Sequence, residues 1–350
     1  IETSIKGVQF AEGLPRVAEV MDELTVVRSM ISKEGDHERA SYNLKTGYRP
    51  DPTLVHPSIG AVVCHELPKT GVDIPRHISI LPGQWPARGG YLGAQLDAFQ
   101  VYDTAGHAED ITAKVKTERM DNRLAALETV EQSFTRGRRI NLDNKTTLHN
   151  ATIQKALRMM NSKQLGAFDV NQAPAQTREA FGDTPFGRGC LAAIQLISTG
   201  VRCVEVTLQG WDTHANNHES HTRQNAILDP AFAALIHELR ARKMLEETIV
   251  ICAGEFGRTP KINAASGRDH WPTGFSLALA GGGFKGGHVH GATDPTGISK
   301  EPQNPIRIAD IHSTVLSALG IEFEKEMMTP IGRPMALSEG NVIKSLLKNV

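Results

Sequence analysis

The sequence predicts an α/β protein whose core is a doubly wound, mostly parallel sheet flanked by helices. Three observations carry this expectation. Apolar, non-alternating runs such as Thr248-Ile249-Val250-Ile251-Cys252-Ala253 and Phe275-Ser276-Leu277-Ala278-Leu279-Ala280 read as strands buried on both faces. Segments of helical spacing alternate with them, as a covered parallel sheet requires. Two of the strands run straight into clusters of metal-grade polar residues, and the ligand crevice of an open parallel sheet lies beyond its strands' carboxyl ends.

Taken in order, Leu14 to Met21 is amphipathic and reads as a helix, and Leu24-Thr25-Val26-Val27 as a strand that stops at Arg28-Ser29-Met30. The polar segment Asp36-His37-Glu38-Arg39-Ala40-Ser41 opens a helix towards Thr46-Gly47. His77-Ile78-Ser79-Ile80-Leu81 is a short strand closed by Pro82-Gly83. From about 103 to 178 charged residues dominate with helical spacing around Leu124–Leu127 and Ile153–Met160. This stretch is expected to be a helical insertion over the sheet, a lid and not a separate domain, so residues 1–350 read as one domain. A helix from Asp183 to Ser198 feeds the strand Arg202–Leu208. A long helix from about His221 to Met244, with Ile227, Phe232, Leu235, Ile236 and Leu239 on one side, leads to the strand Thr248–Ala253. Phe275–Ala280 is a further strand, and Ile308 to Leu319 a last helix.

The chain has 350 residues and balances 38 basic against 39 acidic side chains, which gives no field to gather nucleic acid or anionic lipid. No apolar run reaches the ~18 residues of a membrane span. The four cysteines, Cys64, Cys190, Cys203 and Cys252, show no C-x-x-C spacing, so a cysteine zinc site is not expected. The start at Ile1 is expected to reflect a removed leader or a longer gene.

The chemistry-bearing residues fall into three clusters, two at strand ends and a third shortly after the second. Gly210-Trp211-Asp212-Thr213-His214, with His218 a helical turn further on, can offer several ligands to one ion, or else an N-cap followed by solvated histidines. Glu255 follows a wholly apolar strand, so it needs a cation or donors. Arg258 supplies that charge in a structural ion pair, or Glu255 meets a metal while Arg258 grips an oxyanion through paired donors. Asp269-His270 is the most ligand-like pair on a loop. His37, beside Asp36, Glu38 and Arg39, reads as a ligand, nucleophile, general acid or exposed residue. His56, His65 and His77 are taken as structural, and Gly281 to Gly287, flanked by His288 and His290, as a flexible loop without the ending of a phosphate-binding loop. No G-x-S-x-G elbow occurs.

These motifs in this order resemble the uncharacterised bacterial family called domain of unknown function 1501, common in planctomycetes. The matching stretches are Val26-Val27-Arg28-Ser29-Met30, His56-Pro57-Ser58-Ile59-Gly60, Gly90-Tyr91-Leu92-Gly93, Gly210–His214, Gly254–Pro260, Gly267–Trp271 and Gly291-Ala292-Thr293-Asp294. More distantly the arrangement is similar to the alkaline phosphatase and sulfatase superfamily. That resemblance implies an alkaline-phosphatase-like fold and a metal site of Asp212 with His214 or His218 together with His270. Glu255 would stand where a second site has its Asp. Phe256 stands where the second site has a histidine, His37 where the nucleophile is usually Cys or Ser, and the first-strand Asp of that superfamily has no match here.

The reaction expected is metal-dependent hydrolysis of a sulfate or phosphate ester, on a small-molecule or glycan substrate. The metal ligands are drawn from Asp212, His214, His218, Glu255, Asp269 and His270, and His37 and Arg258 are the catalytic candidates. The ion is a divalent metal: Zn, Mn, Ca or Mg. The rival expectation is a non-catalytic relative whose carboxylates and imidazoles hold a structural ion or salt bridges while the protein binds a glycan or protein partner. The family resemblance and the non-Met start together imply a periplasmic or extracellular protein.

Overall fold

The computed structural model of the chain describes residues 1–102, 104, 113–136, 148–294, 297 and 301–348. It is a mixed α/β structure with several sheets. The helices are α1 (Pro15–Glu19), α2 (His37–Thr46), α3 (Ile59–Glu66), α4 (Thr117–Arg136), α5 (Leu148–Met160), α6 (Ala175–Ala180), α7 (Pro185–Thr199), α8 (Asn217–Ala241) and α9 (Ile308–Ala318). The strands are β1 (Leu24–Ile31), β2 (His77–Ile80), β3 (Phe99–Val101), β4 (Cys203–Val206), β5 (Val250–Ala253), β6 (Gly257–Arg258), β7 (His270–Trp271), β8 (Phe275–Ala280), β9 (His288–His290), β10 (Ile306–Arg307), β11 (Glu326–Met328) and β12 (Pro334–Ala336).

β1 is the hub of the larger sheet. It pairs in parallel with β10 (Met30↔Ile306) and β9 (Val26↔Val289), and antiparallel with β8 (Val26↔Ala278). β5 then lies antiparallel on the far side of β8, with Cys252 opposite Ala278. A second sheet, ordered β3-β2-β4, is wholly parallel. The expectation of one mostly parallel sheet is therefore corrected: the strands divide between two main sheets, and β8 runs against both of its neighbours. The reason lies in the connection. Residues 254–274 join β5 to β8 without a helix, and an antiparallel return needs only a turn where a parallel one needs a crossover. An apolar strand reads the same in either direction. β1 also continues past Val27, through a register shift between Val27 and Met30, to Ile31.

Both sheets pack into one core, which takes Val26 and Ala280 from the larger sheet, Ile78 and Ile80 from the smaller, and Leu191, Ile194 and Leu196 from α7. α7 starts on Thr184, whose hydroxyl accepts from Gly187 N at 3.0 Å, with Pro185 at its first position, and ends on the left-handed Gly200. α8 begins at Asn217, a turn earlier than its apolar spacing indicates. Its buried Asp229 accepts from Arg16 N and Val17 N of α1, at 3.1 and 2.9 Å. Within the expected 103–178 insertion, α4 and α5 are helical, while residues 103, 105–112 and 137–147 lie outside those described. Among the described residues no helix is long and apolar enough to cross a membrane.

α9 shows how one carboxylate can anchor an element. Buried Asp310 accepts from Arg307 N (2.9 Å), Arg307 Nε (3.0 Å), Arg307 Nη2 (2.6 Å) and Asn341 N (2.8 Å). Burial alone would raise its pKa, but the Arg307 side chain and the two backbone N–H groups outweigh burial and hold it below the usual carboxylate range. A group depressed in the folded state contributes stability above its unfolded value, about pH 4, and loses it as pH falls through the folded value. Asp310→Asn is expected to cost about 2 kcal/mol at pH 7. The gap between variant and wild type in urea unfolding should close on acidification.

Candidate metal centre

Four separate elements deliver the polar residues to one place. Asp212 and His214 follow β4, Glu255 follows β5, His270 opens β7, and His37 is the first residue of α2. His37 is set there by its neighbour: the Asp36 carboxylate accepts from Glu38 N and Arg39 N, at 3.1 and 3.2 Å, and caps the helix. The loops bearing the other residues are zipped together by their backbones. Arg268 N donates to Thr213 O (2.9 Å), Asn216 N to Ala265 O (3.1 Å) and Asn217 N to Ser266 O (2.9 Å). Asn216 and Ser266 both take left-handed backbone conformations, with φ of 49° and 56°, a strain that the surrounding structure has to impose.

Asp212 is the centre of the cluster. Its Oδ1 accepts from Arg258 Nη2 at 2.6 Å and lies 3.1 Å from His214 Nε2 and 3.3 Å from His270 Nε2, while its Oδ2 lies 3.2 Å from His37 Nε2. Partial burial would raise the Asp212 pKa, but Arg258 outweighs burial through both its hydrogen bond and its charge, and holds the carboxyl well below its ordinary range. Asp212 is therefore an anion at any physiological pH.

Each imidazole spends its other nitrogen on an acceptor. His270 Nδ1 donates to Gly35 O at 2.7 Å, His214 Nδ1 to Asp269 Oδ1 at 2.8 Å, and His37 Nδ1 to Glu255 Oε1 at 2.7 Å. Carbonyl and carboxylate oxygens can only accept, so in the neutral rings all three protons sit on Nδ1 and all three Nε2 atoms carry lone pairs. The Nε2 atoms of His214 and His270 stand 3.0 Å apart. Two lone pairs so placed repel each other. A cation between them turns that repulsion into coordination, and outer acceptors on Nδ1 are the usual support of metal-binding histidines.

The spacing fits an ion of zinc size. Donors at about 2.0–2.1 Å in a tetrahedron stand roughly 3.3 Å apart. The triangle of Asp212 Oδ1, His214 Nε2 and His270 Nε2 has edges of 3.0, 3.1 and 3.3 Å. His37, Asp212 and His270 can also bring ligand atoms within 4.8 Å of one another. His37 Nε2 is buried and has no hydrogen-bond partner of good geometry. The side chains of Asp212 and His214 remain about half exposed, 49% and 48%, so the triangle is open to solvent on one side.

Aromatic rings form the wall behind it. Phe256 lies 4.3 Å from the His270 ring and 5.0 Å from that of His37, with the Arg258 guanidinium 5.8 Å above its face. Trp85 stands parallel to His37 at 6.4 Å.

Of the residues anticipated from sequence, His37, Asp212, His214, Arg258 and His270 meet directly. Glu255 and Asp269 arrive one layer out, each holding an imidazole and not the central point. His218 is exposed on the first turn of α8, and among the described residues no hydrogen bond or ion pair joins its side chain to the cluster. His221 turns inward instead, to 3.3 Å from Thr213 Oγ1 and edge-on to Trp211. Three contributors went unread: the Gly35 carbonyl, Asn263 and Trp85. Only Trp85 carried a signal, because it follows the carboxyl end of β2.

A family model described as "Protein of unknown function (DUF1501)" matches residues 1–347. No curated protein matches. Among solved structures, the crystal structure of PsFucS1 sulfatase from Pseudoalteromonas sp. is similar with a TM-score of 0.40 at 11% identity, over 89% of this chain and 63% of that one. The chain thus spans less than two thirds of that sulfatase's length.

Proposed function

We propose that this chain, which belongs to the DUF1501 family, is a metal-dependent hydrolase of sulfate or phosphate esters on an alkaline-phosphatase-like α/β domain. The observation that carries the proposal is the pair of Nε2 atoms, from His214 and His270, set 3.0 Å apart beside the Asp212 carboxylate. Asp212, His214 and His270 would hold one divalent ion. Phe256 offers no donor where a second ion would need one. When bound, such an ion supplies Lewis acidity to an ester oxygen and lowers the pKa of bound water.

The chain's own residues supply the rest. Glu255 fixes the His37 ring through Nδ1, which leaves the Nε2 lone pair beside Asp212 as the proton-accepting position. Arg258, partly buried, keeps Asp212 ionised and adds positive charge where an oxyanion would develop. Phe256 and Trp85 exclude water from one side of His37.

The rival, a salt-bridge cluster without turnover, rests on one contact: Arg258 already neutralises Asp212 at 2.6 Å. Elemental analysis of the purified protein separates the two, combined with hydrolysis of 4-nitrophenyl phosphate and 4-nitrophenyl sulfate over added Zn²⁺, Mn²⁺, Ca²⁺ and Mg²⁺. Retained metal with turnover supports the hydrolase, and absence of both supports the cluster. His37→Gln is expected to keep the metal and to lower kcat by about 10²–10⁴.

A further inference from the structure

We infer that Asn263 is a positioning residue that sets the metal affinity of the centre by holding Asp269 against His214, an inference that rests on the metal-binding reading above. Asn263 touches no atom of the central triangle. Its side chain nevertheless satisfies every hydrogen-bonding position an amide has. Nδ2 donates to His214 O at 3.0 Å and to Asp269 Oδ1 at 3.2 Å, while Oδ1 accepts from Ala265 N at 3.0 Å and from Gly267 N at 2.9 Å. Its backbone closes the same turn, with Asn263 N donating to Gly267 O at 2.8 Å.

The consequence for His214 is specific. One amide grips both the backbone carbonyl of His214 and the carboxylate oxygen that accepts the hydrogen bond from His214 Nδ1. Asp269 is about half exposed, so without the amide its carboxylate would rotate freely in water. With the amide, Asp269 Oδ1 accepts from two donors at once, His214 Nδ1 and Asn263 Nδ2, which fixes the carboxylate against the imidazole. The imidazole is thereby kept in the tautomer and orientation that turn the Nε2 lone pair towards Asp212 and His270. Outer partners of this kind change metal affinity by about 10–100-fold when removed.

Asn263→Asp tests the inference with little change of shape: the Oδ1 acceptor stays, and both donors are replaced by an oxygen facing two other oxygens. Co²⁺ is the probe, because its visible absorption reports both occupancy and ligand geometry. Its dissociation constant is measured by chelator competition in the full chain. Wild type, Asn263→Asp, Asp269→Asn and the double variant form a cycle, with His237→Ala as a control on a distant face of α8. A loss of about 10–100-fold in affinity is expected for each single variant, with an altered cobalt spectrum and a double variant no worse than the poorer single one.

Equal affinity and an unchanged spectrum in Asn263→Asp would overturn the inference and leave the metal reading standing. Losses that multiply in the double variant would also overturn it, since the amide would then act without Asp269. Wild-type protein that takes up no Co²⁺ would instead sink the metal reading itself. If Asn263→Asp fails to fold, Asn263→Ser replaces it: its hydroxyl can still accept from the turn but cannot reach Asp269, and the same loss is expected.

Discussion

Asp212→Ala should empty the centre of metal and reduce ester hydrolysis to the uncatalysed background. Its carboxylate is the junction of the site: Arg258, His214 and His270 converge on one of its oxygens and His37 faces the other. Removing the carboxylate takes away the only anionic member of the triangle, so ion affinity should fall by more than the ~100-fold ascribed to losing a mere outer partner. It also strands Arg258, whose side chain is only 14% exposed, at a cost of about 1–3 kcal/mol. The measurement is metal content by mass spectrometry alongside a urea melt of the metal-free protein. Wild-type stoichiometry in Asp212→Ala would place the ion elsewhere in the molecule and discard the triangle.

Gly267→Ala should do comparable damage with a single methyl group. A Cβ at Gly267 would overlap the carbonyl of His214 and crowd Ala215 N, and both obstacles are backbone that cannot rotate aside. The loop of residues 263–269 would have to lift away from that of residues 213–217. The lift would break the bonds from Arg268 N to Thr213 O and from Asn217 N to Ser266 O. It would pull Asp269 and His270 away from His214. Overpacking of this kind typically costs about 1–3 kcal/mol. The expected functional loss is larger than the stability loss: metal retention at or below one hundredth of wild type, because a displacement of about 1 Å suffices to spoil coordination. A Gly267→Ala protein that binds metal normally would show that the two loops are free to separate.

Much of this architecture could be read from single residues. Asp36 and Gly47 bracket α2 as N-cap and left-handed C-cap, and β8 begins and ends where its apolar run does. Convergence was legible for Asp212, His214 and Glu255, because a polar residue emerging from an apolar strand has few places to go, and for His270 from its pairing with Asp269 on a loop. Strand direction was not legible, since apolar runs do not encode it and the helix-free connection of residues 254–274 decides it. α3 was overlooked because Ile59–Cys64 is buried nearly all round and has no amphipathic period to detect. His218 looked like a ligand by spacing alone, whereas helix α8 starts early enough to turn it outward. Asn263 gave no sign at all. An asparagine in a polar loop is an ordinary turn residue, and only the close approach of residues 213–217 gives this one four partners at once.

The grip of Asp229 on α1 bears on the order in which the molecule assembles. A five-residue helix cannot hold itself together in water, and the first turn of α1 has no capping side chain of its own. Its free N–H groups are met by a carboxylate more than two hundred residues later in the chain. The N-terminal arm must therefore stay unstructured until α8 has been synthesised and docked. On a ribosome it would emerge more than two hundred residues before the carboxylate that holds it, and would be among the last segments to settle.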